Sequence, residues 1–128
     1  MITSIQQVNS FLKEFKAAMN AKGIIIIERQ VNLQGMFDLQ INPVMRKQIL
    51  KSLKATDYYR GPSMQSGWVG EAWEFGKTVN NKVAYIKVSM GVEKIDSRTN
   101  QKGGSEPRQV ICISFHEAEK TITYPFKK

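Results

Sequence analysis

Apolar side chains recur at three- and four-residue steps near the start of the chain: Ile5, Val8, Phe11, Leu12, Phe15 and Met19, with Gln6, Lys13, Glu14 and Lys16 facing away. That spacing predicts an amphipathic helix over residues 3–22, capped by Thr3 or Ser4 and stopped at Gly23. The period then shortens. Gly23 to Arg29 holds four consecutive isoleucines and reads as a strand. Residues 32–41 fit either a loop or a short helix that buries Leu33, Met36, Phe37 and Leu39. Asn42-Pro43 is a helix start, a capping side chain followed by proline at the first helical position. The helix it opens would turn Val44, Ile49, Leu50 and Leu53 inward and Arg46, Lys47, Lys51 and Lys54 outward.

The second half changes period. Gly61-Pro62 reads as a turn, and Gly67 and Gly70 predict irregular chain over residues 61–71. From Ala72 onward the pattern is β, with Trp73, Phe75, Thr78 and Val79 leading into Asn80-Asn81. That pair can adopt the positive φ angles of a tight hairpin turn. The return strand is Lys82 to Met90, with Tyr85 and Lys87 on one face and Ala84, Ile86 and Val88 on the other. Residues 91–108, with three glycines, a proline and many polar side chains, predict a long mobile loop or wide hairpin. Gln109 to Phe115 is a further strand, and Thr121 to Tyr124 a last short one. Helices first and a mainly antiparallel sheet afterwards make the fold class α+β.

A length of 128 residues supports one domain over residues 1–128, with a single core. No apolar run reaches the roughly 20 residues that span a bilayer, and the N-terminus lacks the layout of a secretory signal, so the expected compartment is the cytoplasm. One cysteine, Cys112, cannot form an internal disulfide and reads as inert packing in an apolar strand. Trp73 reads as a core anchor, and Trp68 as either core or a stacking platform. Lys127 and Lys128 read as a frayed tail. The net charge is +8, and +7 of it lies in residues 42–128, where 15 basic side chains face 8 acidic ones. A polyanion, nucleic acid first, is the physical partner for such a surface. An acidic protein partner, or charge serving only solubility, is the competing explanation.

With one histidine and scattered acids, the chain offers neither a metalloprotease pair nor the carboxylate cluster of a two-metal nuclease. No metal or cofactor is expected. His116, just past the strand Val110 to Phe115, is the only side chain whose ordinary chemistry trades protons near neutral pH. Around it the sheet offers Arg60, Lys77, Tyr85 and Lys87. Metal-free RNA cleavage needs a proton acceptor for the 2′-hydroxyl, fixed cations for the phosphoryl oxygens and a proton for the leaving 5′-oxygen. Arg60 suits two phosphate oxygens through its planar fork, Lys77 and Lys87 add point charges, and His116 is the proton carrier. Tyr85 can orient the 2′-hydroxyl, stack on a base or assist proton transfer. The hairpin returns the chain beside Lys77, with its register to Tyr85 left open. The bland alternative keeps His116 as a structural residue and Tyr85 as a packing one.

Four segments in order, Asp57-Tyr58-Tyr59-Arg60, Ala72-Trp73-Glu74-Phe75-Gly76-Lys77, Ala84-Tyr85-Ile86-Lys87-Val88 and Ile113-Ser114-Phe115-His116-Glu117, resemble the MqsR-type toxins of bacterial type II toxin–antitoxin systems. Those toxins are a branch of the RelE-like ribonuclease fold. The resemblance covers residues 57–117. It implies an endoribonuclease that cuts mRNA without metal or cofactor and is held inactive by an antitoxin protein, with Arg60, Tyr85 and His116 catalytic. Arg60 and His116 each stand where the family has lysine, and Glu74 where it has an active-site glutamine. A carboxylate at Glu74 would repel phosphate unless it points away or serves as a base. The alternative function is a non-catalytic basic module that binds RNA or protein. A DNA-binding regulator lacks support, because no pair of helices reads as a recognition unit.

Overall fold

Asn80 and Asn81 take φ angles of 48° and 70°, and between them they close a two-residue hairpin that pairs Val79 with Lys82. Around this hairpin a computed structural model describes residues 3–64, 71–91, 95–96, 101–102 and 109–127. The helices are α1 (Ile5–Lys22), α2 (Gln30–Leu39) and α3 (Pro43–Lys51). The strands are β1 (Ile24–Ile26), β2 (Tyr58–Met64), β3 (Glu71–Val79), β4 (Lys82–Met90), β5 (Ile95–Asp96), β6 (Gln101–Lys102) and β7 (Val110–Glu117). Five of them form one sheet in the order β1-β7-β4-β3-β2, antiparallel except for the β1–β7 pair, and β5 pairs with β6 separately. The class is α+β. Trp68, Lys128 and most of residues 91–108 lie outside the described residues.

Ser4 opens α1 with a reciprocal cap: its Oγ accepts from Gln7 N at 3.2 Å, and its own N donates to Gln7 Oε1 at 2.7 Å. Two of the helix's orphan end groups are satisfied at once. Val8, Phe11, Leu12, Phe15 and Met19 are buried, as their spacing predicts. Phe11 stacks on Trp73 at 4.5 Å and lies 6.3 Å from Phe75, so α1 covers the sheet face that carries Trp73, Phe75, Ile86 and Phe115. The opposite face carries Glu74, Gly76, Tyr85, Lys87, Ser114 and His116, since register partners share a face.

Several elements depart from the sequence expectation. Gly61-Pro62 lies within β2 rather than at a turn, because β2 is an edge strand, where glycine and proline are tolerated, and the rest of that expectation, at Gly67 and Gly70, lies outside the described residues. Residues 30–39 form a helix, yet its buried positions are Asn32, Gly35 and Leu39, while Phe37 is 80% exposed and Leu33 lies at the surface. The helix is turned by polar demand. Beyond Ile26 the β7 edge has no strand neighbour, and Asn32 takes that place, its Nδ2 donating to Ile113 O at 3.0 Å and its Oδ1 accepting from Phe115 N at 3.0 Å. In α3 the Asn42 cap and the following proline hold, with Met45 N donating to Asn42 Oδ1 at 2.8 Å. Leu50 and Leu53 are buried, Ile49 partly so, and Lys47, Lys51 and Lys54 are exposed, as expected; two positions differ, with Arg46 5% exposed and paired with Glu28 at 3.1 Å and Val44 66% exposed. Thr121 to Tyr124 is not a strand, since no backbone ladder reaches it. Among the described residues no helix is long and apolar enough to cross a membrane.

Candidate functional site

An irregularity in one edge strand builds the site. Tyr58 pairs with Phe75 on the core side, and an uninterrupted ladder would then set Tyr59 against Glu74 and Arg60 against Trp73. Instead Arg60 pairs with Glu74, so Tyr59 is the extra residue of a bulge. That slip carries Arg60 onto the face of Tyr85. On the neighbouring strands Tyr85 pairs with His116, their rings 5.4 Å apart. Behind His116, α2 presents Gly35 so closely that a Cβ there would sit 2.7 Å from His116 Cα. Arg60, Tyr85 and His116, drawn from three stretches of chain, therefore border one cavity of about 150 Å³. Sites for whole drug-sized ligands usually offer about 300–1,000 Å³, so this one suits a single group such as a phosphodiester.

Glu74 lies within the gathering and organises it. Its side chain is 6% exposed, and its carboxylate accepts from Arg60 Nε at 2.9 Å through one oxygen and from the Tyr85 hydroxyl through the other. Arg60 keeps 63% of its side chain exposed and lies 4.8 Å over the Tyr59 ring. Its pKa is raised, first by the hydrogen bond to Glu74 and then by that carboxylate's charge. Burial, followed by the bond to Glu74, raises the Tyr85 phenol well above its ordinary value. Tyr85 is therefore a neutral hydrogen-bonding group near pH 7 rather than a base. His116 Nδ1 lies 3.0 Å from the Glu117 carbonyl oxygen. A carbonyl only accepts, so Nδ1 carries a proton and Nε2 holds the lone pair of the neutral ring.

Lys87 stands in register between Glu74 and Ser114 on the same face. Lys77 does not join this group: it pairs with Ala84, one residue out of phase with Tyr85, and its Nζ lies 3.4 Å from Asp57 Oδ2. Glu74 does not point away from the site, as one reading of the sequence required; it ties the guanidinium to the phenol. Glu119, Lys120 and Ile122, absent from the sequence reading, complete the cavity wall. Alternation at Ile122, Tyr124 and Phe126 was the available signal. Cys112 is fully buried, with its thiol pushed up to about 12 by burial, and takes no part. Among the described residues no three of His, Cys, Asp and Glu gather closely enough to hold a metal ion.

A larger groove of about 750 Å³ lies between α1 and the far ends of β2 and β3. The charges among its described lining residues are Glu14 and Glu71, the wrong sign for a polyanion. No protein-family model, curated protein or solved structure matches the chain.

Proposed function

We propose that the protein is a metal-independent endoribonuclease that cuts RNA by attack of a 2′-hydroxyl on the adjacent phosphorus. The observation that carries this reading is the meeting of Arg60, Tyr85 and His116 at one cavity on a chain of net charge +8. In the proposed step the 2′-oxygen loses its proton and bonds to phosphorus, and the bond from phosphorus to the 5′-oxygen breaks. That oxygen takes up a proton, leaving a 2′,3′-cyclic phosphate and a 5′-hydroxyl. Arg60, its Nε fixed by Glu74, turns its outer edge toward the phosphoryl oxygens. His116 carries one of the two proton transfers through Nε2. Tyr85 gives its own proton to Glu74, so its oxygen can accept from the 2′-hydroxyl and aim it. DNA lacks the attacking group and is not a substrate.

The MqsR-type resemblance extends the proposal to a RelE-like toxin acting on mRNA in the cytoplasm, neutralised by an antitoxin protein. One observation favours the alternative of a non-catalytic RNA- or protein-binding module. Glu74 sets a carboxylate against Arg60, which weakens the pull on phosphate. Cleavage decides between them. Purified protein in excess EDTA should cut single-stranded RNA to cyclic-phosphate ends, with and without ribosomes as separate trials. His116→Ala should lose about 10²–10⁴ in rate and Arg60→Ala about 10²–10³, both with wild-type circular dichroism. Intact RNA in both trials at high protein concentration would leave the binding module standing.

A further inference from the structure

The cavity beside Arg60, Tyr85 and His116 has a wall that no strand of the sheet supplies. Glu119, Lys120 and Ile122 line it from the segment that follows β7. Along this segment Thr121, Thr123 and Pro125 are exposed, while Ile122, Tyr124 and Phe126 are half-buried. That is the period of extended chain, and each inward side chain has a seat. A Cβ on Gly76 would come within 2.7 Å of Ile122 Cδ1 and 2.9 Å of the Tyr124 hydroxyl, so both fill the space that Gly76 leaves open. Phe126 stacks on Tyr58 at 5.5 Å. At the start of the segment Ala118 N donates to Val83 O at 2.7 Å. The chain thus crosses the site face from β4 to β3 and ends against the core-side Tyr58 of β2, held by side chains rather than by a ladder.

We infer that residues 118–126 are a strap that walls the site and delivers Lys120 as its phosphate-binding cation, an inference that rests on the RNA reading above. Lys120 sits in a bend between Ala118 and Ile122, one anchored by its backbone bond and the other seated at Gly76. Both flanks therefore fix the stretch that turns Lys120 to the cavity. The site then has a cation on either side, Arg60 from β2 and Lys120 from the strap. Glu119 lines the same cavity and opposes an anion, so the strap sets affinity with both signs.

The test uses a single-stranded RNA with 2′-O-methyl riboses, which the proposed chemistry cannot cut. Lys120→Ala should weaken binding and reduce the slope of log affinity against log salt by about 0.7, the loss of one phosphate contact to a single strand. Glu119→Gln should tighten binding about twofold. On unmodified RNA, Lys120→Ala should raise KM about fivefold with kcat within about twofold, the mark of lost uniform binding. Gly76→Val, which displaces Ile122 and Tyr124, should reproduce the Lys120→Ala defect, and the two changes together should do no more than either alone. A Lys120→Ala slope equal to wild type, or two independent penalties that add, would overturn the strap. Lys120 is exposed, so its variant keeps the test decisive even where Gly76→Val fails to fold. Wild-type protein that binds the modified RNA but never cuts the unmodified strand removes the nuclease reading, while the slope still judges the strap. Protein that binds neither RNA ends both.

Discussion

Replacing Asn32 with alanine should destabilise the protein by about 3 kcal/mol, although Asn32 touches no candidate catalytic group. Its side chain is fully buried and makes three bonds: Nδ2 to Ile27 O at 2.7 Å, Nδ2 to Ile113 O at 3.0 Å, and Oδ1 from Phe115 N at 3.0 Å. The losses are unequal. Ile27 O still accepts from Arg29 N at 2.9 Å, and Ile113 O from Arg29 Nη2 at 3.1 Å, so each carbonyl keeps a partner. The Phe115 amide loses Asn32 Oδ1, its acceptor among the described residues, and becomes a buried orphan, at about 1–3 kcal/mol. The two lost donations add about 1 kcal/mol together after the surviving bonds are counted. With an unfolding entropy near 2.1 cal/mol/K per residue, a loss of about 3 kcal/mol lowers Tm by about 11 °C. Asn32→Asp should be no better, since it restores the acceptor but sets a second oxygen against two carbonyls. Urea and thermal unfolding measure the loss, and hydrogen exchange at the Phe115 amide locates it. A loss under about 1 kcal/mol, or unchanged protection at Phe115, would refute the claim that one side-chain amide stands in for a strand.

Gly35→Ala should also destabilise, by about 2 kcal/mol, against the gain of about 1 kcal/mol that alanine normally brings to a helix interior. The new Cβ would meet His116 Cα and Phe115 O, both at 2.7 Å and both backbone, so nothing flexible can give way. A rise in Tm would show that α2 sits farther from β7. The Tyr85 phenol makes stability fall at alkaline pH. Its pKa is raised in the folded state, so its contribution is complete below the ordinary tyrosine value near 10 and is lost as pH rises toward the folded value. Urea titrations at stepped pH should show the decline, and Tyr85→Phe should flatten it in part, because burial raises Cys112 and Tyr124 as well. An identical decline in the variant would mean that Tyr85 is not held as a buried phenol.

The face on which each candidate sits was partly legible in the chain. A two-residue turn at Asn80-Asn81 pairs residue 79 with 82, which forces 77 opposite 84 and 76 opposite 85. The same arithmetic that brings Tyr85 beside Glu74 therefore removes Lys77 from the site, and both follow from the turn alone. Arg60 is different. Its arrival depends on the bulge at Tyr59, and no pattern of apolar and polar residues marks where an edge strand will slip. The orientation of α2 was hidden for a related reason. Hydrophobicity turns a helix by its apolar stripe, which would have buried Leu33 and Phe37. Here the unpaired edge of β7 needed a donor and an acceptor, and Asn32 supplied both, which leaves Phe37 in water. An orphaned buried amide costs as much as an exposed aromatic ring forfeits, about 1–3 kcal/mol in either case. Polar satisfaction can therefore outvote the apolar stripe in a ten-residue helix. Strand-to-strand geometry decides that vote, and only the folded sheet contains it. The strap shows the opposite case. Its alternation at Ile122, Tyr124 and Phe126 signals extended chain correctly, but a period of two does not say whether backbone or side chains will find the partner. With β4 already paired on both sides to β3 and β7, the segment that leaves β7 finds no ladder partner there and crosses the face where the candidate chemistry sits.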